Sequence, residues 1–242
     1  MANNFKKMNK LVIVTGGTKG IGKALVWKFA SEGFDVITCA RNEADLESLK
    51  SSILSTYSNI QINTCVADLS NVTGREEVIK MVNSISRPVD VLINNAGLFV
   101  QGKIHNEPDG VLENQIQTNL MSAYEITRGV VGGMIEKRSG SIFNICSIAS
   151  ITAYENGGSY TISKFALLGM TKVLRQEMKQ YNIRVTAVLP GATLTASWEG
   201  VDLPQERFMK PEDVADSIYG VYKLSDQTVV EEILLRPQLG DL

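Results

Sequence analysis

Tyr160-Thr161-Ile162-Ser163-Lys164 sets a phenol and an ammonium four residues apart, on one face of a predicted helix. Alone the pair says little, because a chain with 7 tyrosines meets a lysine at that spacing by chance often enough. Position gives it weight. Ser147 lies thirteen residues earlier, just past the strand-like run SIFNIC, and the run VLI is followed by Asn94-Asn95-Ala96-Gly97. Ligand crevices of open α/β sheets form at the carboxyl ends of strands. Hydroxyl, amide, phenol and ammonium groups are thus all brought to such ends. Imidazole chemistry is nearly excluded, since His105 is the only histidine. That removes a Ser–His–Asp triad and any metal site built on histidine, and no metal is expected.

A second constellation is Val14-Thr15-Gly16-Gly17-Thr18-Lys19-Gly20-Ile21-Gly22, between the first predicted strand and the first predicted helix. Glycines there allow a tight turn and close approach to a pyrophosphate, while the helix start offers free N–H groups and a positive dipole end. The spacing is T-G-x-x-x-G-x-G, anchored on Gly16, Gly20 and Gly22. NAD sites commonly place an acid at the end of the second strand to hold the ribose 2′-hydroxyl. Here that strand ends in Ala40, followed at once by Arg41. A 2′-phosphate needs positive charge, and Arg41 with Lys19 in the glycine loop would supply it. The expected cofactor is therefore NADP(H).

The elements that must position these groups alternate along the chain. Predicted strands are Lys10–Thr15, Asp35–Ala40, Ile60–Val66, Val89–Ile93, Ser141–Cys146, Arg184–Leu189 and Val229–Leu235. Predicted helices are Ile21–Glu32, Glu43–Tyr57, Gly74–Ser86, Asp109–Lys137, Ser159–Tyr181 and Pro211–Leu224. LVIVT, VLINN and VTAVL are nearly continuous apolar runs, as in strands buried on both faces of a parallel sheet. The expectation is an α/β fold: one doubly wound parallel sheet of about seven strands, helices on both faces, forming a single domain over residues 1–242. Residues 191–210 lack a clear element and are expected to form a lid over the substrate.

Composition bounds the partners. With 24 basic and 26 acidic residues the net charge is −2, which gives no general affinity for nucleic acid or anionic membranes. MANNFKKMNK has no apolar stretch behind its lysines, and no window is long enough to span a bilayer. Three widely spaced cysteines in strand-like runs read as reduced, buried thiols, which fits a cytoplasmic protein.

TGGTKGIG, NNAG, the Ser147–Tyr160–Lys164 set, Asn119 in QTNLMSAY and Pro190-Gly191-Ala192-Thr193-Leu194-Thr195 occur in that order between residues 15 and 195. Together they resemble the motif series of the short-chain dehydrogenase/reductase family, whose fold is Rossmann-type. The resemblance implies that Tyr160 is general acid in reduction and base in oxidation. It implies that Lys164 and the nicotinamide's positive charge lower the phenol pKa, that Lys164 also holds the nicotinamide ribose, that Ser147 polarises the substrate carbonyl, and that Asn119 holds a water in a proton relay. Cofactor contacts are implied for Gly16, Thr18, Lys19, Gly20, Ile21, Gly22 and Arg41, and for Asp68 and Leu69 at the adenine. Further contacts fall to Asn94, Ala96, Gly97, Tyr160 and Lys164, and to Pro190, Gly191, Thr193 and Thr195. Taken singly, Asn119 and Asp68 could equally be ordinary helix or turn polarity.

Residues expected to border the substrate are Leu98, Phe99, Ile148, Ala149, Tyr154 and Trp198, with Phe208 and Met209 nearby. That apolar, partly aromatic set favours a compact carbonyl or alcohol. Several of these could equally pack the lid onto the body. The tail TVVEEILLRPQLGDL lacks the Gly-Gly pair of many 3-oxoacyl-carrier-protein reductases and looks more like sepiapterin-reductase-like members or reductases of 3-hydroxy acids. A pterin side-chain ketone or small diketone is one reading, with Asp241 the nearest carboxylate to hold a pterin edge. A 3-oxoacyl-thioester or 3-hydroxy-acid oxidoreductase is another, and a non-catalytic NADP(H) sensor or scaffold a third. The family implies a homodimer or homotetramer, paired through Asp109–Lys137 and Ser159–Tyr181.

Overall fold

The computed structural model describes residues 8–195 and 202–241. Seven parallel strands form one sheet in the order β3-β2-β1-β4-β5-β6-β7. The strands are β1 (Leu11–Thr15), β2 (Asp35–Ala40), β3 (Ile62–Val66), β4 (Val91–Asn94), β5 (Gly140–Ile145), β6 (Ile183–Pro190) and β7 (Glu232–Leu235). Helices α1 (Gly20–Ser31), α2 (Glu43–Thr56), α3 (Val72–Ser84), α4 (Val111–Ile116), α5 (Ser122–Lys137), α6 (Gly158–Met178) and α7 (Pro211–Tyr222) connect them.

Strand period 2 sorts the apolar runs into two layers. In β1, Val12 and Val14 enter one core with Phe29, Val91, Ile93 and Phe143. Leu11 and Ile13 enter the other with Ile37, Leu92, Ile126 and Ile142. A sheet filled on both faces must be covered on both, which the right-handed crossovers accomplish. Strand order reverses between β1 and β4, which pair with each other in register Val12↔Val91 to Val14↔Ile93. A crevice opens there at the strands' carboxyl ends.

The expected elements are present with ends moved by one to three residues, with one substantive difference. The run expected as one helix, Asp109–Lys137, is α4 and α5 joined by a π turn at Gln117–Met121. A π turn inserts an extra residue into the helical ladder, and such turns concentrate at functional sites. Here the turn carries Asn119. All three cysteines are free and buried. Burial pushes the Cys39 thiol up to about 12 and that of Cys146 to about 11, so neither is a ready nucleophile. Among the described residues no helix is long and apolar enough to cross a membrane.

Candidate active site

The two sides of the crevice are tied by backbone and side chain together. Thr15 Oγ1, at the end of β1, accepts from the backbone N–H groups of Asn95 and Ala96, both at 2.9 Å. Asn95 Nδ2 donates in return to Thr15 O at 2.8 Å and Gly16 O at 3.2 Å. Gly16 turns the chain at φ +69°, where a side chain would be strained. A Cβ at Gly22 would lie 2.1 Å from Gly16 O, so the start of α1 packs directly on the turn. Thr15 and Asn95 stand in the two sequence motifs, but nothing in their spacing shows that they bond to each other.

Helices α2 and α3 are capped by Asn42 and Asn71 side chains, which accept from Asp45 and Gly74 N–H groups. By contrast α1 has no side-chain cap and no acid in its first turn. Its first amides and positive dipole end suit an anionic group beside Gly20, Ile21 and Thr18. A cavity of about 300 Å³ opens past the carboxyl ends of β2 and β3, lined by Arg41, Val66, Ala67, Asp68 and Gly74 among others. The Asp68 carboxyl sits below its ordinary value, chiefly through the Ser70 backbone N–H, with the Arg41 charge adding to the effect. Lys19 is well exposed and lies 3.7 Å from Asp45, so part of its charge is already answered. These residues fit the adenosine and phosphate end of a dinucleotide.

Two of the expected cofactor residues turn their side chains into the protein, which leaves backbone atoms as their means of contact. Leu69 is buried in the second core, and its carbonyl accepts from Arg75 Nη1 at 3.0 Å; its side chain does not line the cavity. Asn94 is buried, with Nδ2 donating to Thr127 Oγ1 at 2.9 Å and Asn144 Oδ1 at 2.8 Å. Its side chain therefore serves packing among β4, β5 and α5. Residues Ala96 and Gly97 are the ones that edge the crevice.

Lys164 is buried, and burial lowers its ammonium to about 8. Nζ donates to Ile145 O at 2.8 Å, lies 5.7 Å from the Tyr160 ring centre, and would lie 3.5 Å from a Cβ placed on Gly97. An ammonium has three hydrogens to give, and one carbonyl meets it among the described residues. The Tyr160 phenol is raised by burial, which the neighbouring Ser147 hydroxyl opposes. The expected lowering belongs to Lys164 and the nicotinamide's positive charge together, and without that charge burial governs the phenol. Ser147 is fixed by a short helical turn, its Oγ accepting from Ala149 N–H while its own N–H donates to Ser150 Oγ. Ser150 gave no signal in the sequence.

The Asn119 amide is spent inside the protein. Oδ1 accepts from Leu98 N–H at 2.6 Å, and the two hydrogens go to Leu98 O and Ser163 Oγ, both at 2.9 Å. A water could not take a hydrogen from this side chain, so the expected relay role does not fall to the amide donors.

At the rim, Phe99 stands edge-on to Tyr160 with centroids 4.8 Å apart. Leu98 and Ile148 are half-buried beside it, and Tyr154 is exposed with its phenol pushed up to about 12 by desolvation. Ala149 is buried in the Ser147 turn and does not border open space, a correction to its expected pocket position. Trp198 lies outside the described residues. The described ends of the expected lid are pinned: Thr193 bridges Met209, and Leu194 N–H donates to Met209 O at 2.9 Å. Thr195 meets Gly20, whose added Cβ would lie 2.8 Å from Thr195 Cγ2, while Gly191 N–H bonds Leu235 O just past Pro190. Asp241 is in contact with Arg236, so the tail carboxylate already has a partner.

A parallel sheet with a glycine turn at its switch point and a hydroxyl, phenol and ammonium across the crevice defines a doubly wound, dinucleotide-binding class of protein. Residues 10–205 match the short chain dehydrogenase family, and the chain belongs to that family of oxidoreductases. It is 32% identical to the sepiapterin reductase of Chlorobaculum tepidum, over 97% of this chain and 99% of the relative. It is also 32% identical to the 3-oxoacyl-[acyl-carrier-protein] reductase of Thermotoga maritima, over 90% and 92%. A metagenomic short-chain oxidoreductase solved in complex with NADP superposes with a TM-score of 0.81 at 29% identity, covering 95% of this chain and 97% of that one.

The buried ammonium makes a stability prediction for the cofactor-free protein. Lys164 loses its proton near 8 when folded and near its ordinary 10.5 when unfolded. Between those values the unfolded chain holds more protons, so this site's contribution to stability rises with pH across that window. Below it, the buried charge costs most. Lys164→Met should therefore be more stable than the parent at pH 7, the gap closing by on the order of 3 kcal/mol by pH 10.5. Denaturant unfolding at several pH values measures it; a gap constant with pH would refute the burial account.

Proposed function

We propose that this protein is an NADPH-dependent carbonyl reductase, with Tyr160, Lys164 and Ser147 as its catalytic residues. The observation that carries the reading is the buried Lys164 ammonium beside the Tyr160 phenol, with hydrogens to spare toward the Gly97 side of the crevice. NADPH, when bound, would supply the hydride that reduces the carbonyl carbon. Ser147 orients the substrate oxygen, and the Tyr160 hydroxyl gives it the proton. Burial keeps that phenol protonated at neutral pH, which is the state a donor needs. Lys164 would hold the nicotinamide ribose hydroxyls, and its positive charge stabilises the phenolate left when Tyr160 gives up its proton; a proton from solvent then restores the phenol. Asn119 positions the Leu98 backbone through its amide and carries the π turn beside Lys164. The turn Gly16–Gly22 and the uncapped α1 hold the phosphates, and Arg41 holds the 2′-phosphate.

Similarity to an NADP complex supports the cofactor, as does the absence of an acid at Ala40. For the substrate, the half-buried Leu98, Phe99 and Ile148 and the exposed Tyr154 favour a compact, apolar or aromatic ketone or diketone. A pterin side-chain ketone is supported by likeness to the Chlorobaculum tepidum protein along nearly the whole chain. Asp241 is already paired with Arg236, so a pterin held by that carboxylate would compete with the guanidinium, and ring stacking at Phe99 and Tyr154 offers a second contact. Retention of all three chemical groups argues against a non-catalytic sensor.

The protein is further proposed to pair with itself through α5 and α6. Ile162, Phe165 and Val173 are exposed on α6 at helical spacing, with Tyr124 exposed on α5. A stripe of large apolar side chains on the two long helices is what a two-fold four-helix contact would cover.

Three outcomes test these readings. Tyr160→Phe should abolish NADPH-dependent diketone reduction and leave NADPH binding within threefold, while Ser147→Ala lowers kcat by roughly 10²–10³. Stopped-flow absorbance and fluorescence titration measure the two, and a Tyr160→Phe protein still within tenfold of the parent would sink the mechanism. Arg41→Ala should weaken NADPH binding at least tenfold while leaving NADH nearly unchanged; equal losses would move the 2′-phosphate elsewhere. Phe165→Glu should shift the mass in light scattering from dimer or tetramer toward monomer. A monomeric parent at micromolar concentration would count against the interface.

A further inference from the structure

Gln115 is the buried residue of α4, with no surface exposed to solvent. Its amide serves one backbone residue: Val100 N–H donates to Oε1 at 3.3 Å, and Nε2 donates to Val100 O at 3.2 Å. Four residues on, Asn119 meets Leu98 in the same way, through its N–H and its C=O. A side-chain amide paired with one residue's N–H and C=O copies a rung of a β-ladder. The spacings agree, because four helical residues advance about 6.0 Å and two extended residues about 6.6 Å. Residues 95–100 belong to no strand, yet two buried amides peg them as one. In such an extended segment the Phe99 side chain leaves the opposite face from those of Leu98 and Val100, and it meets the Tyr160 ring edge-on.

We infer that Gln115 is a positioning residue that, with Asn119, holds Phe99 against Tyr160 and so sets how a bulky carbonyl substrate is admitted. The inference rests on the reductase reading above and adds a specificity determinant that reaches no substrate itself. Replacing Gln115 with an apolar residue leaves the Val100 N–H and C=O without partners, and the segment should then release. Phe99 would lose its fixed angle, while the glycine turn and the Lys164 contact stay as they are.

The test uses the full chain, NADPH, and two diketones, diacetyl and a phenyl-substituted one. Gln115→Met should raise KM for the phenyl diketone about tenfold, change KM for diacetyl less than twofold, and leave kcat and NADPH binding within threefold. Phe99→Ala should raise the same KM, and adding Gln115→Met to it should cause no further rise, since both act through one ring. Additive effects, or NADPH binding that weakens in step with KM, would overturn the inference. The unmodified protein gives an arm that needs neither activity nor the variant's folding. By hydrogen exchange, the Leu98 and Val100 amides should be protected well beyond a free peptide, and exchange at the free-peptide rate overturns the clamp. A parent that reduces no diketone fails the reductase reading, while the exchange result still decides the clamp.

Discussion

Thr15 holds the two halves of the sheet together at the point where strand order reverses. Its hydroxyl takes two amide hydrogens from the chain leaving β4, and Asn95 answers with two hydrogen bonds to the chain leaving β1. These bonds lie at the open end of the sheet, where no ladder constrains the strands. Without them the glycine turn and the Ala96–Gly97 edge would be two independent loops. With them, the crevice has a fixed width and Gly97 faces Lys164. Every other group in the site takes its place relative to this tie.

Behind the crevice, polar residues set the pose of α6. Asn94 donates to Thr127 and Asn144, and Asn144 Nδ2 donates to Thr171 Oγ1 at 2.8 Å, so one chain of bonds links β4, β5, α5 and α6. Polar groups carry this link through the core, and each must be hydrogen-bonded to be buried without cost. An all-apolar core would need no such pairing but would let α6 slide. Because Tyr160 and Lys164 ride on α6, and Ser147 follows β5, a shift of one relative to the other would separate the phenol from the hydroxyl.

The segment after Gly97 crosses in front of α6 and is stitched to it. Leu98 and Val100 are held by amides from the π turn and α4, Gly102 N–H donates to Asn156 O, and Glu107 accepts from the Ser159 N–H and hydroxyl at the start of α6. A carboxylate at a helix N-terminus is electrostatically favourable, so Glu107 caps α6 while anchoring the segment. Aromatic surface is thereby presented to the crevice from a loop that has no strand to order it.

The sequence by itself determined the seven strands, the helices between them, the sheet class, and the segments that meet at the crevice. Those features depend on local quantities: period 2 or 3.6 in apolar residues, glycine where φ must be positive, and polar runs at strand ends. Only the tertiary structure decided which way individual side chains turned. Asn94 and Leu69 sit in the expected segments, yet both side chains turn inward, because one residue's shift along a strand or turn exchanges crevice for core. Asp241 is paired with Arg236, a contact that no spacing in the tail announces. Gln115 carries no signal in the sequence, and the partners of the Asn119 amide are set only by the fold. The π turn that joins α4 to α5, and the extended backbone of Leu98 and Val100 packed beside it, are long-range facts with no periodicity of their own to read.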